Sequence, residues 1–517
     1  MIDLPHDWRP HRTVAVIVPA FGSADTLDLT MASLARQDYP EDLVEVVVVD
    51  DGSPEPYVLP EVHHKNTRIV RPEKGWGRAN ACHEGVLATT GEILVWLDSD
   101  IVVPADHLTA HLRWHDRLKD VATKGDIRFV DSWDVAPSDI AGAQSDEDLA
   151  RQLEVDGTRS QWVEDVYART DDLNTDSPYV FSTFTGAAGS VSRDLYMASG
   201  GMDTSLALGE DSDLAYRLAA RGAVFVPARD AVAWHLGPTN AQRRLDDVLH
   251  HDKPYLAQRA PLIRRRRTTG GRVWRVPMVH AVVVAQEVDA ARARVCVDHL
   301  LASSFTDLHV SLVAPWSRLH DGRRPPLDDP DLELRLLREW LEGEPRVSLV
   351  EQAPQDVFPA AFRLDVPVSA ALGPGVLGEL VKLAGEHDAG LVRMPGPDAP
   401  VSLLRTAALE RASRNLPAGD LQTQIDAVWG IWWTPALEGA LTALDVSSPT
   451  DEPVPGPAER ERQLTKKIAR LEKESRRTAP RPAPQGAAPR GFRASAAMIR
   501  AGVRGMLAEL SRRLRRS

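Results

Sequence analysis

Cysteine is nearly missing from this chain, with Cys82 and Cys296 the two occurrences in 517 residues. Two thiols so far apart cannot build a metal cluster by themselves, and their scarcity fits a reducing compartment. No run of about 18 apolar residues occurs, so no membrane-spanning helix is expected. The opening Met1-Ile2-Asp3-Leu4-Pro5-His6-Asp7 lacks a basic stretch followed by an apolar one. No secretory leader is therefore expected, and the cytoplasm is the expected location. Positive charge is also short over most of the sequence. From Gly456 to Ser517 there are 17 Lys and Arg against 5 Asp and Glu, a net +12, so the remainder carries −25 within a total of −13. An acidic body argues against nucleic acid as a partner, while the basic tail suits anionic surfaces.

What is present is an ordinary globular mixture, 43% hydrophobic and 26% charged, too long for a single core. The most informative stretch is Val95-Trp96-Leu97-Asp98-Ser99-Asp100-Ile101-Val102, an apolar run ending in two carboxylates one residue apart. In an extended segment Asp98 and Asp100 share a face, because side chains alternate with period two. Two hard oxygen donors at a strand's end suit Mg²⁺ or Mn²⁺. An ordinary turn after a strand is the competing account.

Around that stretch the element order reads as an open α/β sheet. Val14-Ala15-Val16-Ile17-Val18 is a short buried strand closed by Pro19. Ala24 to Gln37 puts Leu27, Met31 and Leu34 at helical spacing, and Val44 to Val49 is a second strand ending in Asp50-Asp51-Gly52-Ser53. Ile69-Val70 makes a weak third strand, Ala79 to Thr89 a helix, and Ile93 to Leu97 the strand leading into Asp98. Acidic residues thus gather at strand carboxyl ends, where such sheets bind ligands. From about Trp114 to Tyr179 the sequence turns acidic and irregular, as a ligand-side loop or lid or as surface decoration. Trp133, Trp162 and Tyr167 there either stack on a ligand or belong to the core. Small residues recur in Phe184-Thr185-Gly186-Ala187-Ala188-Gly189-Ser190 and Gly200-Gly201, as suits backbone passing close to a ligand. Glu210-Asp211 then opens an amphipathic helix with Leu214 and Leu218 at core spacing.

In order and spacing, Pro19-Ala20-Phe21, Asp50-Asp51-Gly52-Ser53, the helix start between Gly75 and Gly85, and Asp98-Ser99-Asp100 resemble the family 2 glycosyltransferases. The resemblance runs from about Val14 to Gly237. It implies a GT-A nucleotide-sugar-binding, Rossmann-like domain. The implied reaction is inverting, metal-dependent transfer of a sugar from a nucleoside-diphosphate-sugar to a hydroxyl of a glycan or lipid-linked acceptor, as in cell-surface polysaccharide or glycoconjugate synthesis. Pro19, Ala20 and Phe21 would hold the donor nucleoside together with Asp50 or Asp51. Asp98-Ser99-Asp100 matches the family's DxD motif, with Asp98 and Asp100 holding Mn²⁺ or Mg²⁺ at the donor diphosphate. Arg78 and Lys74 would assist there or serve only as solvated surface charges. Asp211 matches the aspartate of the family's ED motif, the catalytic base, while Glu210 beside it and Asp213 would serve the helix or the acceptor; acidic residues favoured by the helix dipole are the competing account. His235, in Ala233-Trp234-His235-Leu236-Gly237, matches a histidine after the domain's last strand. It would reach the metal or diphosphate, or else be a buried histidine with a satisfied hydrogen bond. Where relatives carry Asn before the helix glycine this chain has His83, so no role carries over.

After the charged boundary Arg264 to Gly271 the pattern restarts. Ala281 to Val284, Arg294 to Leu301 and Val310 to Val313 repeat the first strand, its helix and the second strand. Ala314-Pro315-Trp316-Ser317 stands where Asp50-Asp51-Gly52-Ser53 stood, and Phe362 to Pro367 echoes the Asp98 strand with one carboxylate, Asp365. A catalytic domain over 1–262 is therefore expected to precede a degenerate, diverged GT-A-like α/β domain over 275–445, with chance similarity among short α/β strands as the alternative. Residues 450–517 read as a linker, a short charged helix, a disordered Pro/Ala stretch and a basic amphipathic helix. That last helix, 492–516, suits either an anionic surface such as the inner face of the plasma membrane or packing on the protein or a partner. Two other readings stand beside this one. The first is a non-catalytic scaffold in polysaccharide assembly. The second is a nucleotidyltransferase, which would want a Gly- and Lys-rich loop where Ala20-Phe21-Gly22-Ser23 lies.

Overall fold

The β-branched runs of the first third become inner strands of a mixed sheet. In the computed structural model, residues 8–443 are described except 23, 156–157, 176–179, 264–266, 268–269, 286–289, 418 and 436–440. Strands β1 (Val14–Ala20), β2 (Val44–Asp50), β3 (Thr67–Val70), β4 (Ile93–Trp96), β5 (Ile101–Val102), β6 (Val121–Val130), β7 (Gly189–Ser192) and β8 (Val224–Leu236) lie in the order β3-β2-β1-β4-β7-β6-β8-β5. Every residue of β1 is buried, as in a strand covered on both faces by crossover helices such as α1 (Ala24–Leu34) and α2 (Arg78–Leu87). β1 has β2 parallel on one side and β4 parallel on the other. Strand order therefore reverses at β1, the place where sheets of this kind bind ligands beyond the carboxyl ends. β7 runs antiparallel to β4 and β6, and β6 runs parallel to β8.

The stretch read as irregular is more ordered than its composition suggests. It contains the last turn of α3 (His107–Arg117) and all of β6, a ten-residue strand paired on both sides. Three short helices follow: α4 (Pro137–Gly142), α5 (Asp146–Gln152) and α6 (Gln161–Arg169). β6 escapes an apolar pattern because Thr123, Lys124, Gly125, Asp126 and Arg128 interrupt it, yet Thr123, Lys124 and Asp126 are buried with polar partners. Tyr167 is in the core with the Arg229 guanidinium 4.4 Å above its ring, whereas Trp133 and Trp162 are exposed.

Beyond α7 (Arg193–Ala198), α8 (Glu210–Ala220), α9 (Asn240–Arg243) and α10 (Leu245–Arg259) comes a second sheet. Its strands are β9 (Val279–Val284), β10 (Leu308–Val313), β11 (Val347–Val350), β12 (Phe362–Val366), β14 (Leu391–Met394), β15 (Val401–Arg405) and β16 (Ile431–Trp433). β13 (Ala370–Leu372) pairs separately with β17 (Leu441–Ala443). Helices α11 (Ala290–Leu301), α12 (Leu332–Leu341), α13 (Val376–Glu386), α14 (Thr406–Asn415) and α15 (Leu421–Val428) accompany the sheet.

The second sheet's order, β11-β10-β9-β12-β15-β14-β16, repeats the first with β5 left off, and every pairing keeps its direction. Register repeats too. Val279 lies opposite Leu308 and Phe362 as Val14 lies opposite Val44 and Ile93, and Phe362 faces Arg405 as Ile93 faces Ser192. One expectation changes on this register. Asp365 sits opposite Val282 as Trp96 sits opposite Ile17, inside the strand and not past its end. Counted on from these paired residues, Pro367 and Ser369 correspond in sequence to Asp98 and Asp100.

The described residues fall within one compact unit, Met1–Val446. Among them, no helix is long and apolar enough to cross a membrane. The expected linker, charged helix and basic helix of 450–517 lie outside the described residues.

Candidate active site

The carboxylates after β2 shape the loops beside them. Asp50 is buried; its Oδ1 accepts the Ser53 N–H at 2.8 Å and its Oδ2 accepts from Arg71 Nη1 at 3.1 Å. Asp51 accepts the Gly77 N–H on both oxygens, at 2.9 and 2.7 Å, tying this turn to the start of α2. Burial raises its carboxyl above the ordinary range against that hydrogen bond. The Gly22 N–H donates to Ser53 Oγ at 3.3 Å, fastening the loop after β1 to the same turn. Pro19 and Ala20 are buried at the end of β1, and Phe21 next to them is 62% exposed. Lys74 is exposed and contacts none of these groups through its ammonium among the described residues.

Asp98, Ser99 and Asp100 follow the last paired residue of β4. Directly beyond them Ile101 and Val102 pair with His235 and Trp234, and the Leu236 N–H donates to the Asp100 carbonyl at 2.8 Å. This ladder carries His235 to the carboxylates. One ligand atom each from Asp98, Asp100 and His235 lies within 4.8 Å of the others. The Gly237 carbonyl accepts from His235 Nδ1 at 2.9 Å, and His235 Nε2 faces Asp100 Oδ1 at 3.6 Å. Asp100 Oδ1 is buried with no hydrogen-bond partner, and burial pushes this carboxyl up. An orphaned carboxylate oxygen, a second carboxylate and an imidazole nitrogen make a donor set that fits Mn²⁺ or Mg²⁺.

Arg78, the first residue of α2, joins this group to α8. Its Nε and Nη2 donate to Asp98 Oδ1 at 3.0 and 2.8 Å, and its Nη1 donates to Glu210 Oε1 at 3.1 Å. Burial opposes ionisation of Asp98, but the guanidinium outweighs it and holds the carboxyl below its ordinary value. Glu210 is pushed up by burial and by the neighbouring Asp211, with Arg78 opposing. α8 starts after Gly209 at φ +78°, a conformation that glycine adopts without a Cβ clash. Asp211 then accepts the Gly186 N–H on Oδ2 at 3.4 Å and the Ser212 N–H on Oδ1 at 2.7 Å. A Cβ at Gly186 would fall 2.5 Å from Arg78 Nη1, so a side chain there requires the guanidinium to shift.

Other acidic and imidazole groups have plainer duties. Asp213 pairs with Arg217 one turn along α8 at 2.9 Å. His83 lies 2.8 Å from the Tyr196 hydroxyl, against the Gly200-Gly201 turn. Arg78, Asp98, Asp100, His235, Glu210 and Asp211 thus converge. Asp50, Asp51 and Phe21 form an adjoining group reached through Gly77, and Ser99 is half-buried between the two DxD carboxylates.

A family model described as Glycosyl transferase family 2 matches residues 15–180. An N-acetylglucosaminyltransferase of Bradyrhizobium sp. (strain ANU 289) is 35% identical over 103 residues, 19% of this chain and 67% of that protein. The chain belongs to glycosyl transferase family 2. This family 2 chain is also 22% identical over 369 residues to chondroitin synthase of Pasteurella multocida (strain Pm70), covering 66% of itself and 36% of that protein. A second N-acetylglucosaminyltransferase, of Bradyrhizobium elkanii, is 35% identical over 103 residues, with 56% of its length covered. The chain therefore spans between a third and two thirds of these last two relatives. Among solved structures it is similar to the mannosyltransferase PcManGT from Pyrobaculum calidifontis in complex with GDP-Man and Mn²⁺, with 23% identity, a TM-score of 0.34, and coverage of 51% of this chain and 71% of that one.

The family 2 site also holds a residue that sequence reading passed over. Lys124, buried on β6, donates to the Thr185 carbonyl at 3.2 Å and to the Ala187 carbonyl. Burial pulls its ammonium down to about 7, while Asp98 and Asp211 hold it up. The available signal was a lone lysine amid Val121-Ala122-Thr123 and Gly125, a cation inside a strand-length run.

Proposed function

We propose that this protein is an inverting glycosyltransferase that moves a sugar from a nucleoside-diphosphate-sugar to a hydroxyl of a glycan or lipid-linked acceptor, in cell-surface polysaccharide or glycoconjugate synthesis. The observation that carries the reading is Arg78 spanning Asp98 and Glu210, with Asp211 against the Gly186 turn next to it. The relatives named chondroitin synthase and N-acetylglucosaminyltransferase favour a glycan product.

In this reading Phe21 and the Asp50-Asp51 turn receive the nucleoside, and Arg78 exchanges a carboxylate for the donor diphosphate. Asp98, Asp100 and His235 would hold Mn²⁺ or Mg²⁺, which when bound neutralises charge on the departing nucleoside diphosphate. Asp211 takes the proton from the acceptor hydroxyl as its oxygen attacks the anomeric carbon, and the bond to the nucleoside diphosphate breaks on the opposite face. Glu210 keeps Arg78 in reach without being the base.

The test is nucleoside diphosphate release from a panel of UDP-, GDP- and dTDP-sugars with Mn²⁺ or Mg²⁺. Asp211→Asn is expected to slow turnover by about a thousandfold while leaving donor affinity by calorimetry nearly unchanged. Turnover that persists in Asp98→Ala plus Asp100→Ala would defeat the metal assignment, and no release from any donor would leave the scaffold reading standing.

The same proposal makes the second sheet a diverged copy without a donor site. Its strand order and register support this, and the positions matching Asp50, Asp51, Asp98 and Asp100 hold Ala314, Pro315, Pro367 and Ser369. Calorimetric titration with the active donor should give one site per chain. Two sites would sink the idea.

A further inference from the structure

The Phe184–Ala188 turn, which precedes β7, is held in a shape that its own sequence does not favour. Ala188 has φ +50°, in the left-handed region where a Cβ is crowded, and its carbonyl accepts the Gly125 N–H at 2.8 Å. Gly186 is pressed against Arg78 on one side and donates its N–H to Asp211 on the other. Backbone in such a conformation persists where its surroundings over-determine it, and it gathers at functional sites.

The group over-determining this turn is Lys124. Strand alternation sends Thr123 toward α3, where its hydroxyl meets His111 and Ser190, and sends Lys124 to the opposite face. There the ammonium draws the Thr185 and Ala187 carbonyls together, one on each side of Gly186. Both carbonyls point inward to the lysine, so the N–H between them is turned outward to the Asp211 carboxylate.

We propose that Lys124 is a positioning residue for the transfer step, holding the Thr185-Gly186-Ala187 turn so that the Gly186 N–H orients Asp211. The inference rests on the glycosyltransferase reading with Asp211 as base. Lys124 touches neither donor nor acceptor in this role; it acts through the turn. Removing the ammonium releases the two carbonyls, loosens the Gly186 N–H and leaves Asp211 free to rotate away from the attacking hydroxyl. The nucleoside side of the site, built from β1, β2 and the start of α2, keeps its contacts.

The experiment compares full-length wild type, Lys124→Met and Lys124→Arg, with water as acceptor so that no acceptor need be known. UDP release is measured from UDP-N-acetylglucosamine, or from whichever donor of the panel turns over best. Lys124→Met is expected to lower kcat by about ten- to a hundredfold with donor Kd changed less than about twofold, and Lys124→Arg to fall between the two. Unchanged kcat, or kcat and donor affinity lost in parallel, overturns the proposal. If Lys124→Met does not fold, the same split is read on Lys124→Arg, and an unaltered kcat there is equally fatal. Hydrogen exchange over residues 184–189, expected to quicken at least tenfold in the variant while the α8 amides hold, tests the grip on the turn whatever the activity. Wild type that releases nucleoside diphosphate from no donor refutes the transferase reading, while unchanged exchange in the variant refutes the role of Lys124.

Discussion

Gly186 is where the site has least room. Its missing Cβ is the space into which Arg78 Nη1 fits, so Gly186→Ala should push the guanidinium off Asp98 and Glu210. We expect donor affinity by calorimetry to weaken about tenfold, or about 1.4 kcal/mol. A normal donor Kd in this variant would mean that Arg78 does not meet the diphosphate. At this scale much of the site could be read from sequence: Asp50, Asp51, Asp98, Asp100 and Asp211 stand out as carboxylates at strand or helix ends. Their partners could not be read. Arg71 binds Asp50, Gly77 binds Asp51 and Gly237 accepts from His235, all through contacts that depend on where separate loops meet.

One helix carries a histidine pattern of its own. His107, His111 and His115 recur every fourth residue along α3, all buried, facing the Val232 carbonyl, the Thr123 hydroxyl and the Ser190 hydroxyl at 2.7 Å each. Burial keeps them neutral, bringing His107 down to about 4 and His115 to about 3, with His111 also well below its ordinary value. The unfolded chain protonates these rings near 6.5, so between that value and the folded ones the unfolded state binds more protons. Stability is therefore complete above about pH 6.5 and declines as pH falls below it, by about 1–2 kcal/mol per histidine between pH 7 and 5. Urea midpoints measured across this range should fall, and His115→Gln should flatten the slope by about one proton; a slope unchanged by the substitution would count against the assignment. Elements buried on both faces, β1, β2 and β4, were plain in the sequence because their apolar runs are continuous. β6 was not, since its polar side chains are satisfied by α3, by the Thr185–Ala187 turn and by Arg159.

Across the whole molecule, α14 of the second half braces the first. Arg414 donates to both oxygens of the buried Asp120 at 3.0 and 2.7 Å, Arg221 pairs with Glu410 at 3.1 Å, and the Tyr216 hydroxyl of α8 donates to the Pro359 carbonyl. Arg414→Ala strands the Asp120 carboxylate and should cost about 3 kcal/mol, seen as a lower thermal midpoint, with partial recovery when Asp120→Asn is added. A second molecular test concerns the basic tail: full-length protein should float with anionic liposomes and a chain ending at Pro453 should not. Equal flotation would remove the membrane role. By itself the sequence determined which strands are buried and that carboxylates stand at strand ends, because apolar runs and period-two alternation are local properties. The tertiary structure alone decided that Arg78 bridges Asp98 and Glu210, that His235 meets Asp100, and that Lys124 underlies the turn facing Asp211. Those meetings follow from sheet order and strand register, which join segments distant in the chain and leave no periodic trace in either.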